Sequence, residues 1–279
     1  MFFAGSVGVI LTACRQVGVS AVAAAVADTI HNQSENNQKE SDTETYILPS
    51  PMQIGVIFRR AGLSYQPGLT NQSSDIARYD SKYAQALNVG IYGADLTYCV
   101  LNKQTGDALT YLKTIRSLAD KLGFGSVFDV DNMSKRFESN LNSQDSLTEI
   151  TSDLQLETDT YLNENQEKYI GAISFAGAWI ESMYIGSKVF ATRANEKISD
   201  RISEQMTILD NLVKCLNLYV GKESHISELV GSLKDVENSY TTFPEIKAAG
   251  ESEQNPKLTD EHIAQLGKEI ENLRQKFIS

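Results

Sequence analysis

The sequence predicts an all-α protein, a multi-helix bundle or helical-repeat-like array of eight to nine helices after residue 46. The five prolines lie at positions 49, 51, 67, 244 and 256, so residues 68 to 243 contain none. A long stretch without proline is compatible with long helices and hard to reconcile with a turn-rich β fold. Apolar residues also recur at intervals of three and four, the spacing of a buried helix face. One such stripe comprises Ile198, Ile202, Met206, Leu209 and Val213.

The N-terminal residues 1–13 are interpreted as a signal segment. The stretch from Phe2 to Ala13 is uncharged and mostly apolar, and it has the length of a secretory hydrophobic region. It ends in Leu11-Thr12-Ala13-Cys14, which resembles the lipobox of bacterial lipoproteins. The resemblance implies cleavage before Cys14 and attachment of a diacylglycerol to its thiol.

Two other interpretations of the N-terminus remain open. Ala25-Val26-Ala27 fits an ordinary signal-cleavage pattern, which would leave a soluble secreted chain. Alternatively, residues 2 to 27 could remain as one membrane helix, although Arg15 near its middle would oppose insertion.

Residues 14–45 are predicted to be a lipidated cysteine followed by a flexible polar tether. From His31 to Thr45 the sequence contains no aliphatic, aromatic or sulfur-containing side chain. Such a stretch has nothing to bury and is typical of a linker. The remaining residues, 46–279, are predicted to form a single all-helical domain.

Capping signals predict where several helices begin. Ser50 followed by Pro51 indicates an N-cap with proline at the first helical position. Thr105, Asn195 and Thr259 are predicted to cap three later helices, the first of which should end at Gly123.

Two predicted helices, Tyr83 to Leu101 and Tyr169 to Phe190, are apolar on nearly every face. They could be the central helices of the bundle or membrane spans. A shift of 86 residues aligns them and places Asp95 opposite Glu181. This alignment suggests two related helical halves. Small residues at Ala86, Gly90 and Ala94 would let another helix approach closely.

Asp95 and Glu181 are the best candidates for a functional site, because a carboxylate on a buried face is costly unless it is paired or used. Four aromatic residues lie close to them in sequence: Tyr92, Tyr98, Trp179 and Tyr184. One interpretation is a polar pocket that binds a small ligand. The other is a structural network in which each carboxylate bonds a tyrosine or an arginine, such as Arg59, Arg60 or Arg78.

Composition and motifs exclude several functions. The chain carries 36 acidic against 25 basic residues, a net charge of −11, and no cluster of Lys and Arg that would bind nucleic acid. The three histidines, His31, His225 and His262, are too scattered for a metal site, and no metal or cofactor is predicted. Cys99 and Cys215 are interpreted as buried free thiols, with a disulfide between them as the alternative.

The domain resembles a group of uncharacterised lipoproteins from Bacteroidota. The resemblance rests on three strings: Leu48-Pro49-Ser50-Pro51, Tyr92-Gly93-Ala94-Asp95-Leu96-Thr97-Tyr98 and Ala178-Trp179-Ile180-Glu181. It implies an address in the cell envelope but no activity. Surface-exported lipoproteins of those bacteria tend to carry acidic residues directly after the cysteine, whereas Arg15-Gln16-Val17 follow here, which favours an outer-membrane anchor facing the periplasm.

The expected function is therefore that of a membrane-anchored, non-enzymatic binding module of the envelope. Its partner would be an envelope protein or a small ligand, neither of which the sequence identifies. The alternative is an envelope enzyme, or an enzyme subunit, that uses Asp95 or Glu181 as an acid or base.

Overall fold

The computed structural model describes residues 48–128, 130–140, 142–249 and 256–279. These residues contain ten α-helices and no β-strand, which confirms the predicted all-α bundle. One six-residue helix, α9, comes in addition to the eight or nine expected. The helices are α1 (Pro51–Arg60), α2 (Lys82–Leu101), α3 (Thr105–Leu122), α4 (Val130–Ser139), α5 (Gln144–Glu164), α6 (Lys168–Thr192), α7 (Glu196–Asn217), α8 (Ile226–Thr242), α9 (Pro244–Ala249) and α10 (Asp260–Ile278). Short 3-10 segments span Ser73–Arg78 and Gly125–Val127.

Three of the four predicted N-caps are confirmed. The Ser50 hydroxyl accepts a hydrogen bond from the Gln53 backbone N–H, and the side chains of Asn195 and Thr259 cap α7 and α10 in the same way. The prediction for Thr105 is wrong, because Thr105 is already the first residue of α3. The connection from α2 to α3 is only three residues long, and it turns at Lys103, whose φ of 62° is left-handed. Helix α3 therefore begins at Thr105 itself, one residue earlier than a cap at Thr105 requires.

Helices α2 and α6 lie side by side at the centre of the bundle, and both are buried on nearly all faces. Gly90 of α2 lies against the backbone of Ser174, and Gly177 of α6 lies against the backbone of Leu87. A Cβ built on Gly90 would stand 1.6 Å from the Ser174 carbonyl oxygen. The two backbones are therefore in direct contact, as the small residues of α2 predict.

The contacts between α2 and α6 advance in the same direction along both helices. The Ser174 hydroxyl donates to the Ala86 carbonyl at 2.8 Å, whereas further along the helices Asp95 meets Glu181. The helices are therefore parallel, and the segments that align at an offset of 86 residues are also neighbours in space.

The remaining helices surround this central pair. Helices α1 and α3 pack on α2, while α7 and α10 pack on α6, and one continuous hydrophobic core joins them. Residues 61 to 81 form an irregular loop, here called the 61–81 loop, which is hydrogen-bonded to side chains of α2. None of the helices in the described ranges is long and apolar enough to cross a membrane.

Candidate functional site

The two predicted carboxylates meet at the centre of the bundle. Asp95 is on α2 and Glu181 is on α6, and neither side chain has any solvent exposure. They are adjacent because the parallel packing of the two helices brings residues 86 apart to the same level. The alignment that paired them in sequence therefore also identifies a contact in the structure.

Glu181 is paired with Arg274 of the C-terminal helix α10. The arginine Nε donates to Glu181 Oε2 at 2.5 Å, and Nη2 donates to Oε1 at 2.9 Å, so both carboxylate oxygens are bonded. The guanidinium also lies over the ring of Tyr184, with Cζ 4.2 Å from the ring centroid. Arg274 is only 4% exposed. This bidentate geometry is the strongest form of an arginine–carboxylate pair.

Arg59, Arg60 and Arg78, the arginines suggested as partners of the carboxylates, bond neither Asp95 nor Glu181. Arg59 donates to the backbone carbonyls of Leu101 and Leu63, Arg78 forms an ion pair with Asp75, and Arg60 is exposed. Arg274 was missed although a signal existed. It lies four residues after Ile270, next to the apolar stripe of α10, so it sits on the buried side of that helix.

Asp95 connects α2 to the 61–81 loop. Its Oδ2 accepts the backbone N–H of Asn71 at 3.0 Å. Its Oδ1 accepts no hydrogen bond from any N–H or hydroxyl group in the part of the chain that the structure describes. Burial, and then the nearby charge of Glu181, raise the pKa of Asp95 well above its usual value. Burial also raises the pKa of Glu181, but Arg274 opposes that change.

Tyr92 and Tyr98 of α2 do not bond the carboxylates, although one interpretation predicted it; they hold the 61–81 loop. The Tyr92 hydroxyl donates to the Gln72 carbonyl at 2.7 Å. The Tyr98 hydroxyl accepts the Gln66 N–H at 2.6 Å and donates to the Ser64 carbonyl at 3.1 Å. Burial raises the pKa of Tyr98 to about 12, so it stays neutral and can donate. These hydroxyls satisfy backbone groups of an irregular segment.

Three further aromatic side chains belong to the loop contacts or to the predicted site. Tyr111 of α3, which the sequence analysis missed, donates to the Asn71 carbonyl at 2.9 Å. Trp179 is fully buried on α6, and its Nε1 has no acceptor among the described residues. Tyr184 joins the site through its ring, under Arg274, rather than through its hydroxyl.

A small cleft lies between α1, α2 and α6. Its volume of about 20 Å³ has room for about one water molecule. The lining includes Phe58, Arg59, Thr97, Tyr98 and Ile185, but neither Asp95 nor Glu181. The cleft is too small for a metabolite and does not open onto the carboxylates.

The described residues support neither a metal-binding cluster nor a reactive thiol. They contain no group of three or more His, Cys, Asp or Glu side chains that could hold a metal ion. Cys99 and Cys215 are both free, so the alternative of a disulfide between them is wrong. Burial raises the pKa of both thiols, which disfavours the reactive thiolate.

The predicted lipid-attachment residue, Cys14, lies outside the described residues, as do the whole signal segment and the whole predicted tether. No protein family, curated protein or solved structure matches this chain. Among the described residues, Asp95, Glu181 and Arg274 form a buried polar network that is bonded to the 61–81 loop and to α10.

Proposed function

We propose that this chain is a lipid-anchored helical interaction module of the cell envelope, held by Cys14 at the outer membrane and facing the periplasm. The observation that supports a non-enzymatic role is the closure of the network. Glu181 uses both oxygens to bind Arg274, and Asp95 is fully buried against Asn71 and Glu181. A general acid or base must reach a substrate proton, and these side chains have no exposed surface from which to do so.

The helical surface is the part left to bind a partner. Its charge is uneven, since residues 137 to 167 contain no Lys or Arg but include the acidic outer face of α5. An amine-reactive crosslinker has no lysine to react with on that segment. A search for partners must therefore also use a reagent that activates carboxylates.

The anchor is tested by metabolic labelling with a lipid analogue. We expect label on the wild-type chain and none on Cys14→Ser, because the thiol is the attachment atom. Absence of label on the wild type, or label that survives the substitution, would contradict the anchor.

The interaction is tested by affinity purification of the tagged full-length chain from crosslinked envelopes. An unrelated lipid-anchored chain with the same tag serves as the matched control for membrane proximity. We expect a partner that is enriched over that control with at least one of the two reagents. Recovery of no enriched partner with either reagent would contradict the interaction module.

A further inference from the structure

The buried network contains more negative than positive charge. Asp95 and Glu181 are two carboxylates, and Arg274 is the one cation within hydrogen-bonding reach of them in the described residues. Lys188, which lies over the Tyr184 ring, pairs instead with Glu271 at 2.6 Å near the surface, where both side chains are about a third exposed. If both buried carboxylates were ionised, one negative charge would remain uncompensated in the core, which is strongly unfavourable.

The remaining groups that face Asp95 do not supply positive charge. They are hydroxyls and a thiol, from α2 and α3: Tyr92, Tyr98, Cys99 and Tyr111. Each would repel a second negative charge or remain neutral beside it. A bound proton is the simplest way to remove the excess charge.

The hydrogen bonds indicate where that proton lies. Arg274 occupies both oxygens of Glu181, and the Asn71 N–H occupies Oδ2 of Asp95, which leaves Asp95 Oδ1. Asp95 and Glu181 are themselves in side-chain hydrogen-bond contact. Two carboxylates can hydrogen-bond only if one of them is protonated.

We propose that Asp95 keeps a proton on Oδ1 and donates it to Glu181, so that Asp95, Glu181 and Arg274 form a neutral latch that weakens as the pH rises. The latch joins four parts of the fold. Asp95 holds the 61–81 loop at Asn71, Glu181 holds α10 through Arg274, and the two carboxylates join α2 to α6. Loss of the proton places two like charges side by side and loosens both attachments.

The direction of the pH effect follows from linkage. The pKa of Asp95 is raised in the folded chain, first by burial and then by Glu181. The stability gained from the neutral acid is fully present below the unfolded pKa of about 3.9 and is lost as the pH rises through the folded pKa. The latch is therefore closed in acid and weakened in base, as a coupled pair.

Asp95→Asn tests the latch directly, because an amide has the shape of a protonated acid and can both accept from Asn71 and donate to Glu181. Asp95→Ala, which can do neither, is the matched control. Unfolding midpoints of the full-length chains are compared from about pH 4 to about pH 9. We expect Asp95→Asn to equal the wild type at the acid end and to exceed it increasingly as the pH rises, while Asp95→Ala is less stable at the acid end.

Three results would overturn the proposal. The first is an Asp95→Asn chain as unstable as Asp95→Ala near pH 7. The second is an Asp95→Asn chain that fails to fold. That failure would mean that the fold requires an ionised carboxylate at this position rather than a neutral donor. The third is a wild-type infrared spectrum at neutral pH without the carbonyl stretch of a buried protonated acid that Asp95→Asn removes.

Hydrogen exchange shows whether the effect is local to the latch. At matched pH, we expect the Asn71 amide and the amides of α10 to exchange faster in the wild type than in Asp95→Asn, with a difference that widens as the pH rises. Equal exchange at every pH would mean that the proton does not control these two attachments.

Discussion

Two of the acid–base pairs that join the C-terminal helix to the rest of the bundle lie at different depths, one in the core and one near the surface. In the core, Arg274 and Glu181 are 5% and 0% exposed. Near the start of α10, His262 Nδ1 lies 2.7 Å from Glu245 Oε1, and these side chains are 21% and 20% exposed. We call this second pair, together with Phe243 stacked on His262 at 4.2 Å, the clasp. Burial makes the first pair costly to break, whereas water can replace part of the second.

The two pairs also respond to pH in opposite directions. The latch contains an acid that is held neutral, so it weakens as the pH rises. In the clasp, hydrogen bonds from the backbone N–H of Glu245 itself, and then from His262 and the Thr259 N–H, hold the pKa of Glu245 down at about 2. Stability from that carboxylate is present above its unfolded pKa of about 4.3 and is lost as the pH falls through about 2.

The largest effect should come from removing the cation of the core. Arg274→Met keeps much of the side-chain volume but leaves Glu181 buried without its partner, and we expect a loss of about 3–5 kcal/mol in the free energy of unfolding. The matched control is Arg136→Met, because Arg136 pairs with Asp153 on the surface with both side chains near half exposure. That control should lose only about 0–1 kcal/mol.

The result for Arg274 becomes more specific in a double variant. Adding Glu181→Gln to Arg274→Met removes the unpaired charge, so part of the lost stability should return. Chemical denaturation of the wild type, the two single variants Arg274→Met and Glu181→Gln, and the double variant measures this coupling. Strictly additive losses would contradict the assignment of Arg274 and Glu181 as an ion pair.

The next largest effect concerns the contact that brings the carboxylates together. In Gly90→Ala the new Cβ would overlap the Ser174 backbone, which cannot move aside like a flexible side chain. We expect a loss of about 1–3 kcal/mol, at the least, as α2 and α6 separate. Gly93→Ala is the control on the same helix, since nothing lies within 4 Å of its Cβ.

The Gly93 control should be neutral or stabilised, by up to about 1 kcal/mol, because alanine is a better helix former than glycine. Thermal unfolding of both variants provides the measurement. If Gly90→Ala matched Gly93→Ala in stability, the direct backbone contact between α2 and α6 would be refuted.

The sequence was informative where a property is local or periodic. It located the two all-apolar helices, the caps at Ser50, Asn195 and Thr259, and both buried carboxylates. Each of these depends on residues within one or two helical turns. The alignment at an offset of 86 residues also corresponds to a contact between residues distant in sequence, but only because the two similar helices pack side by side.

The partners of those carboxylates depended on contacts that periodicity does not encode. Arg274 reaches Glu181 across 93 positions of sequence, and Asn71 reaches Asp95 from an irregular loop with no repeating pattern. Arg59 bonds the carbonyls of Leu63 and Leu101 instead, and Arg78 pairs with Asp75.

A smaller effect is expected at the clasp. Glu245→Gln removes the charge but keeps the shape, so the variant should unfold at a lower denaturant concentration than the wild type above about pH 5. This difference should vanish as the pH approaches about 2, where Glu245 itself becomes neutral. A difference that stayed constant over this range would show that the charge of Glu245 does not stabilise the fold.

The smallest effect should come from a surface ion pair between Lys257, just before α10, and Glu196, the first residue of α7. Lys257 Nζ lies 2.7 Å from Glu196 Oε1, between the 2.5 and 2.9 Å of the two Arg274–Glu181 bonds, yet both side chains are about two thirds exposed. Water and salt screen such a pair, and holding two long side chains in one geometry costs entropy. Lys257→Met should therefore leave the unfolding midpoint unchanged within error at physiological salt. A loss comparable to that of Arg274→Met would show that distance, rather than burial, determines how strongly these pairs stabilise the fold.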